Sequence, residues 1–319
     1  MNDVLIIGSV AFDTLRNPVG VFPKELGGSA LYASLSASYY APARLVAVVG
    51  RDFPERGVEM LRKRKVDVEG LEVAEGETFH WDGQYTDDLR HRTTLKTELN
   101  VFADFKPRLP ASYANSPYVL LGNIHPELQL EVLDQIKSPR LVVTDTMNFW
   151  IEGQLEALKK VLKRTDVLIV NEEEGRQLAG VEPILKVVHA LSAMGPKIVV
   201  IKQGEYGAFL FDGREPFSAP AYPVEDLRDP TGAGDSFAGG FLGSIAQQGD
   251  LSSSTLRRAM IYGSTMASFC VEATGVAALN RLDRPPIEER FRLFQRMAHV
   301  PGSAEVELET TSRQSTAHA

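Results

Sequence analysis

Asp229-Pro-Thr-Gly-Ala-Gly-Asp-Ser-Phe-Ala-Gly-Gly-Phe241 is the stretch on which the reading of this chain turns. Four glycines crowd the start of a helix pattern, and a carboxylate, Asp235, stands directly behind the first two. Glycine inside a helix costs roughly 0.5–1 kcal/mol relative to alanine, so the cluster is either a packing device or a place where backbone meets a ligand. Pro230 and Thr231 halt the preceding loop, and Gly232, Ala233 and Gly234 open a helix whose first amides have no partners within it. Those amides, together with roughly half an elementary charge at the helix's positive end, make an anion hole that a phosphoryl oxygen can approach closely. The same helix end favours ionised Asp235 and so weakens it as a proton acceptor; for phosphoryl transfer to an alcohol, an oriented carboxylate that takes the proton late is sufficient. On a purely structural reading, Asp235 is a first-turn acid and Gly239-Gly240 a close helix–helix contact.

Outward from this corner, short aliphatic runs alternate with longer amphipathic segments, the mark of a mainly parallel sheet covered by helices on both faces. The spacing predicts core strands at Val4–Ile7, Leu45–Val49, Tyr118–Leu121, Leu141–Thr144, Val167–Val170 and Ile198–Ile201. Helices are predicted at Ser29–Tyr40, Pro54–Lys65, Glu127–Lys137, Gly153–Leu162, Glu173–Leu178, Pro183–Met194, Gly234–Gln248, Ser253–Val271 and Pro286–Ala298. Residues 76–105 break the rhythm: Asp82-Gly83 is a hairpin signal, and Arg92–Phe102 reads as a further extended segment. With residues 12–25 they are expected to form a small β lid over the carboxyl edge of the sheet, or else an ordinary exposed excursion. Residues 1–300 are read as one α/β domain and the polar, aperiodic residues 301–319 as a floppy tail.

With 319 residues, 44% of them hydrophobic, the chain can build a large core. Its net charge of −8 argues against a general affinity for nucleic acid or anionic membrane. The single cysteine, Cys270, excludes an intrachain disulfide framework and fits a reducing cytoplasm. No apolar run reaches the roughly 18–20 residues a membrane span requires, and Val4–Ile7 reads as a first strand, not a signal peptide. The six histidines show no metal spacing. A dinucleotide oxidoreductase lacks its Gly-x-Gly-x-x-Gly after the first strand, and a P-loop enzyme lacks its Gly-Lys-Ser/Thr.

Residues 229–242 resemble the C-terminal signature of the PfkB, or ribokinase-like, family of carbohydrate and nucleoside kinases. The resemblance implies a three-layer α/β/α domain with a small β lid. It implies transfer of the γ-phosphoryl group of ATP to a hydroxyl of a sugar or nucleoside, with Mg2+ and a monovalent cation such as K+. Asp235 then corresponds to the catalytic base and the amides of Gly232, Ala233 and Gly234 to the anion hole. Gly27-Gly28-Ser-Ala-Leu-Tyr-Ala-Ser resembles the family's first signature, except that Tyr32 stands where an asparagine is usual; it stacks on the substrate or packs. Gly8-Ser-Val-Ala-Phe-Asp13 resembles the end of the first strand, which makes Asp13 an acceptor from substrate hydroxyls. Asp145-Thr-Met-Asn148 falls where relatives place polar groups near the acceptor, so Asn148 is a further substrate candidate.

On the nucleotide side, Asn171-Glu-Glu-Glu174 resembles the Asn-x-x-Glu motif, with Glu174 serving Mg2+ through water; the same spacing is an ordinary capping box. Ile201-Lys-Gln-Gly-Glu-Tyr-Gly-Ala208 resembles the turn beneath the nucleotide, with Gly204 and Gly207 at its turn positions and Thr231 nearby. Lys202, in place of a commoner threonine, either reaches a phosphate or sits at the surface. Ala273-Thr-Gly-Val276 resembles part of the loop bordering adenine and the monovalent cation. Phe79, Trp81 and Tyr85 offer flat contacts to a ligand or pack across strands. Relatives also suggest a homodimer paired through the lid. The competing class is a catalytically silent sugar- or nucleoside-binding protein on the same scaffold.

Overall fold

Strand Val4–Ile7 is buried along its whole length, and its alternate side chains enter two different cores. Val4 and Ile6 pack with Phe241 and Ile245, whereas Leu5 and Ile7 pack with Val132 and Val161. Because successive strand residues point to opposite faces, a continuous aliphatic run is what a sheet covered on both sides demands. In the computed structural model, which describes residues 2–298, this strand lies within a nine-stranded sheet. The order is Pro216–Ala219, Ala208–Phe211, Ile198–Lys202, Val167–Asn171, Leu141–Asp145, Tyr118–Leu121, Val4–Ile7, Ala43–Gly50 and Val66–Ala74. The two strand pairings at the first edge are antiparallel, so Ala208–Phe211 alone runs against the others, and the remaining pairings are parallel. Helices Ser29–Ala37, Ala233–Gln248, Ser253–Cys270 and Arg284–Ala298 cover one face; Pro126–Gln135, Leu155–Leu162, Glu172–Ala179 and Ile184–Ser192 cover the other. The result is the three-layer α/β/α arrangement. Chain order reverses at strand Val4–Ile7, which places a crevice at the carboxyl ends of the strands.

A separate four-stranded sheet has the order Gly20–Gly27, Ala11–Asn17, Phe79–Tyr85 and Arg92–Glu98. Here the structure corrects the sequence reading. Asp82-Gly83 is not a hairpin turn but a register shift in the middle of a strand, where a Cβ on Gly83 would overlap the Trp81 indole. The chain instead reverses through Thr86–His91, where the Thr86 hydroxyl bonds to Asp88 and His91. The extended segment expected to run to Phe102 ends at Glu98 and is followed by a 3-10 turn, Asn100–Asp104. The helix predicted over Gly153–Leu162 is two helices, Asn148–Gly153 and Leu155–Leu162, because Gln154 leaves helical geometry (φ −138°, ψ 33°). Strand Val66–Ala74 and the antiparallel pair Ala208–Phe211 and Pro216–Ala219 carry weaker patterns, half exposed as they are, and are not predicted. Among the described residues no helix is long and apolar enough to cross a membrane. The tail expected at 301–319 lies outside the described residues.

The glycines of helix Ala233–Gln248 divide between two uses. A Cβ on Gly239 would overlap the backbone of Ala33, and one on Gly243 would lie 2.9 Å from Ala37 O, so this helix and Ser29–Ala37 meet almost backbone to backbone. Substituting Gly239→Ala gains about 1 kcal/mol of helix propensity, but the overlap with a backbone that cannot turn aside costs about 1–3 kcal/mol. A net loss of stability is therefore expected, visible as a lower urea midpoint with an unchanged slope.

Candidate active site

The first glycine of the cluster serves the other use. Gly232 caps the helix in a left-handed conformation (φ 76°, ψ 0°), and a Cβ there would strike the face of the Tyr32 ring. Glycine is needed twice over, for its φ and for the close approach. The loop before it is tightly held: Thr231 N–H donates to Asp229 Oδ1 at 2.9 Å, Ala233 N–H to Pro230 O at 3.2 Å, and Ser236 N–H to Gly232 O at 2.8 Å. Of the three predicted anion-hole amides, that of Ala233 is thus already engaged in a turn bond that an incoming anion would have to share. Those of Gly232 and Gly234 stand at the cap and in the first turn, where helices leave donors unpaired.

Around this corner four charged side chains converge from four elements. Asp235 comes from the first turn, Glu174 from helix Glu172–Ala179, and Asp145 and Lys202 from the ends of the two strands that flank Val167–Asn171. Lys202 Nζ lies 3.5 Å from Asp145 Oδ1, and a Cβ on Gly234 would fall 2.9 Å from the same nitrogen. Of the two alternatives for Lys202, the surface position is therefore wrong: the ammonium lies beside the corner. Burial pulls its pKa down, but Asp145, Glu174 and Asp235 outweigh this and leave it raised. Asp235 keeps some contact with water, yet protein encloses most of its carboxylate. Burial, reinforced by Asp145 and opposed by Lys202 and Arg92, pushes it up to about 7. The sequence reading had it the other way, with the helix end holding Asp235 ionised; desolvation and like charge prevail. Glu174 is likewise raised to about 7, by burial first, against Lys202.

Across the crevice Asp13 is buried against Gly27, where a Cβ would overlap its carboxylate, and Gly28 takes φ 96°, where a Cβ would fall 2.5 Å from Ser9 O. Burial, with Asp229 and Asp235 adding to it, raises Asp13 to about 7. Tyr32 is 1% exposed; of the two options it packs, and its hydroxyl has no hydrogen-bond partner among the described residues. Asn171 and Glu174 form the reciprocal capping box, each bond 2.8 Å long. Gly204 (φ 57°) and Gly207 (φ 101°) share one turn after strand Ile198–Lys202. Asn148 is engaged with Gln177 Oε1 at 2.9 Å, and it is Asp145 that joins the charged cluster from this segment.

The lid aromatics mostly pack: Phe79 stacks on Phe102 with centroids 5.4 Å apart, and Trp81 bonds Thr94 and lies under Arg92. Two lid residues reach the crevice. Tyr85 OH lies 2.8 Å from Thr231 Oγ1, and Arg92, its cross-strand partner, is close enough to lower Asp13, Glu174 and Asp235. Arg92 has no signature in the sequence; correct placement of the hairpin turn would have paired it with Tyr85.

A doubly covered sheet with a lid, and a helix-start corner flanked by a carboxylate and a lysine, define a small-molecule phosphotransferase architecture. The model of the pfkB family of carbohydrate kinases matches residues 1–282, and the chain belongs to that family. It is 31% identical over 255 residues to the cytidine kinase of Thermococcus kodakarensis, covering 77% of this chain and 90% of that one. Among solved structures, Burkholderia thailandensis nucleoside kinase in complex with inosine has a TM-score of 0.74 at 16% identity, covering 91% of this chain and 97% of that one. A candidate ribokinase II of E. coli in complex with ATP and Mg2+ has a TM-score of 0.73 at 19% identity, covering 93% of this chain and all of that one. The chain is a sugar or nucleoside kinase of an ATP-using family.

Asp235, raised to about 7, would have to be ionised to act as a base, so in that role activity is expected to rise with pH and level off above about 7. Because Asp235 and Glu174 interact, the midpoint belongs to the cluster and not to one residue. The check is kcat/KM between pH 5 and 9; a flat profile contradicts the assignment.

Proposed function

We propose that this kinase phosphorylates a nucleoside, transferring the γ-phosphoryl group of ATP to a sugar hydroxyl, with Asp235 as the base. The carrying observation is the juxtaposition of Asp235, Lys202 and the Gly232–Gly234 corner in one crevice, opposite Asp13 on Gly27 and Gly28. The choice of nucleoside over free sugar is supported by the 31% identity to a cytidine kinase across most of both chains.

Asp13 orients the acceptor by accepting from its hydroxyls; the burial that raises its pKa is only partly offset by the Gly28 amide, which leaves acceptor capacity for a substrate. Asp235 aims the attacking hydroxyl; as the new O–P bond forms and the bond from the γ-phosphorus to the ADP oxygen breaks, the hydroxyl proton passes to its carboxylate. The amides of Gly232 and Gly234, with a shared one from Ala233, hold the moving group, while Lys202 supplies a fixed charge beside it. Gly204, Gly207 and Thr231 shape the nucleotide side, and Asn148, held by Gln177, is a further contact for the acceptor.

Among the described residues no cluster of three or more acidic, histidine or cysteine side chains could hold a metal alone. Glu174 spends one oxygen on Asn171 N–H and keeps the other, which fits a Mg2+ that retains waters and substrate oxygens. When bound, the ion offsets charge on the phosphates. Asp229 is fully buried; among the described residues its bonds come from Thr231 and Gly275, and no basic side chain is among the groups that set its pKa. A buried carboxylate without a cation is costly, which supports a K+-sized ion beside it.

For Asp235→Asn, turnover is expected to fall at least about 10²-fold while ATP binding by calorimetry persists. The same assay across nucleosides and sugars is expected to give the highest kcat/KM with a pyrimidine nucleoside, and preference for a free sugar would overturn the substrate assignment. Replacing K+ by tetramethylammonium is expected to lower turnover in wild type and to matter less in Asp229→Asn.

A further inference from the structure

Thr231 immediately precedes the phosphoryl corner, and every polar group it has is anchored. Its N–H donates to Asp229 Oδ1 at 2.9 Å, its carbonyl accepts from the Cys270 thiol at 3.4 Å, and its Oγ1 meets Tyr85 OH at 2.8 Å. The first two anchors come from the loop itself and from helix Ser253–Cys270 behind it. The third comes from the end of lid strand Phe79–Tyr85, 146 positions away in sequence. Tyr85 and Thr231 are each 8% exposed, so this bond is shielded from water.

The lid's other polar attachments to the nucleotide half are of a different kind. Arg90 pairs with Glu205 at 2.8 Å with both side chains more than half exposed, and Asn17 donates to Arg228 O at 3.0 Å in an exposed position. Exposed contacts of this sort exchange readily with water and contribute little. A buried hydroxyl pair is different, because a partner left behind unsatisfied is penalised.

We propose that Tyr85 is a positioning residue that ties closure of the lid to the shape of the phosphoryl-binding corner. With the lid down, the Tyr85 hydroxyl fixes the Thr231 side chain and completes the anchoring of the chain that leads into Gly232, Ala233 and Gly234. With the lid raised, Thr231 loses the Tyr85 bond and keeps its contacts to Asp229 and Cys270, and the corner loosens. The corner is thereby fully formed only when the acceptor is covered, which directs the phosphoryl group to the acceptor hydroxyl in preference to water. The inference rests on the kinase reading of the corner, but its structural half can be tested without any turnover.

Tyr85→Phe in the full chain removes the hydroxyl, and with it the contacts to Thr231 and to the Arg92 side chain, and keeps the ring and the strand pairing with Arg92. Amide hydrogen exchange of the nucleotide-free protein is expected to quicken roughly fivefold at residues 229–236, the effect of losing about one net hydrogen bond. A change confined to the lid strands, with residues 229–236 exchanging as in wild type, overturns the proposal. If Tyr85→Phe does not fold, Thr231→Val carries the same exchange test from the other partner. In turnover, Tyr85→Phe, Thr231→Val and the double variant are expected to show the same fall in kcat with acceptor KM little changed. Losses that simply multiply overturn the coupling. Absence of phosphoryl transfer by the wild-type chain to any acceptor would defeat the kinase reading, and the exchange result would still decide whether the latch exists.

Discussion

The start of helix Ala233–Gln248 can reach its place only because nothing stands between it and its neighbours. Gly239 lies on the Ala33 backbone and Gly232 on the face of Tyr32, so the helix is drawn against Ser29–Ala37 until its first turn stands over the carboxyl ends of the strands. The rest of the site follows from that placement. The same first turn supplies the unpaired amides and Asp235, and strand ends Leu141–Asp145 and Ile198–Lys202 deliver Asp145 and Lys202 to the identical spot. Tyr32, standing where the family usually has asparagine, acts here as a buttress under the corner.

This convergence is electrostatically uncomfortable, and the discomfort is informative. Three carboxylates, Asp145, Glu174 and Asp235, share one buried lysine, with Arg92 contributing from the lid. Desolvation and mutual repulsion lift two of the three toward neutrality, which moderates the repulsion an incoming polyphosphate would meet. Added cations would moderate it further, which supports a role for Mg2+ beside Glu174. Asp229 poses the same problem on the opposite side of the corner, where no basic side chain answers it.

The lid adds two polar groups to the crevice. It contributes one hydroxyl, from Tyr85, and one guanidinium, from Arg92, from adjacent strands at paired positions. Both come from a hairpin whose register is set by a shift at Asp82/Gly83. Moving that register by one residue would turn Tyr85 to the other face of the lid sheet and remove it from Thr231.

The sequence by itself determined whatever depends on near neighbours along the chain. The aliphatic runs Val4–Ile7 and Tyr118–Leu121 became strands with unchanged bounds because strands buried on both faces need no partner to announce themselves. The capping box of Asn171 and Glu174, and the glycine-opened helix with Asp235 in its first turn, are likewise local chemistry. Tertiary structure alone decided that Asp82-Gly83 lies inside a strand, since the demand for glycine there comes from the folded position of the Trp81 ring. It also decided that Lys202 faces the corner, that Asp145 and not Asn148 joins the cluster, and that Asp235 is raised, not lowered, in pKa. Each of these depends on burial and on charges brought together from distant segments, and neither quantity exists until the layers have packed.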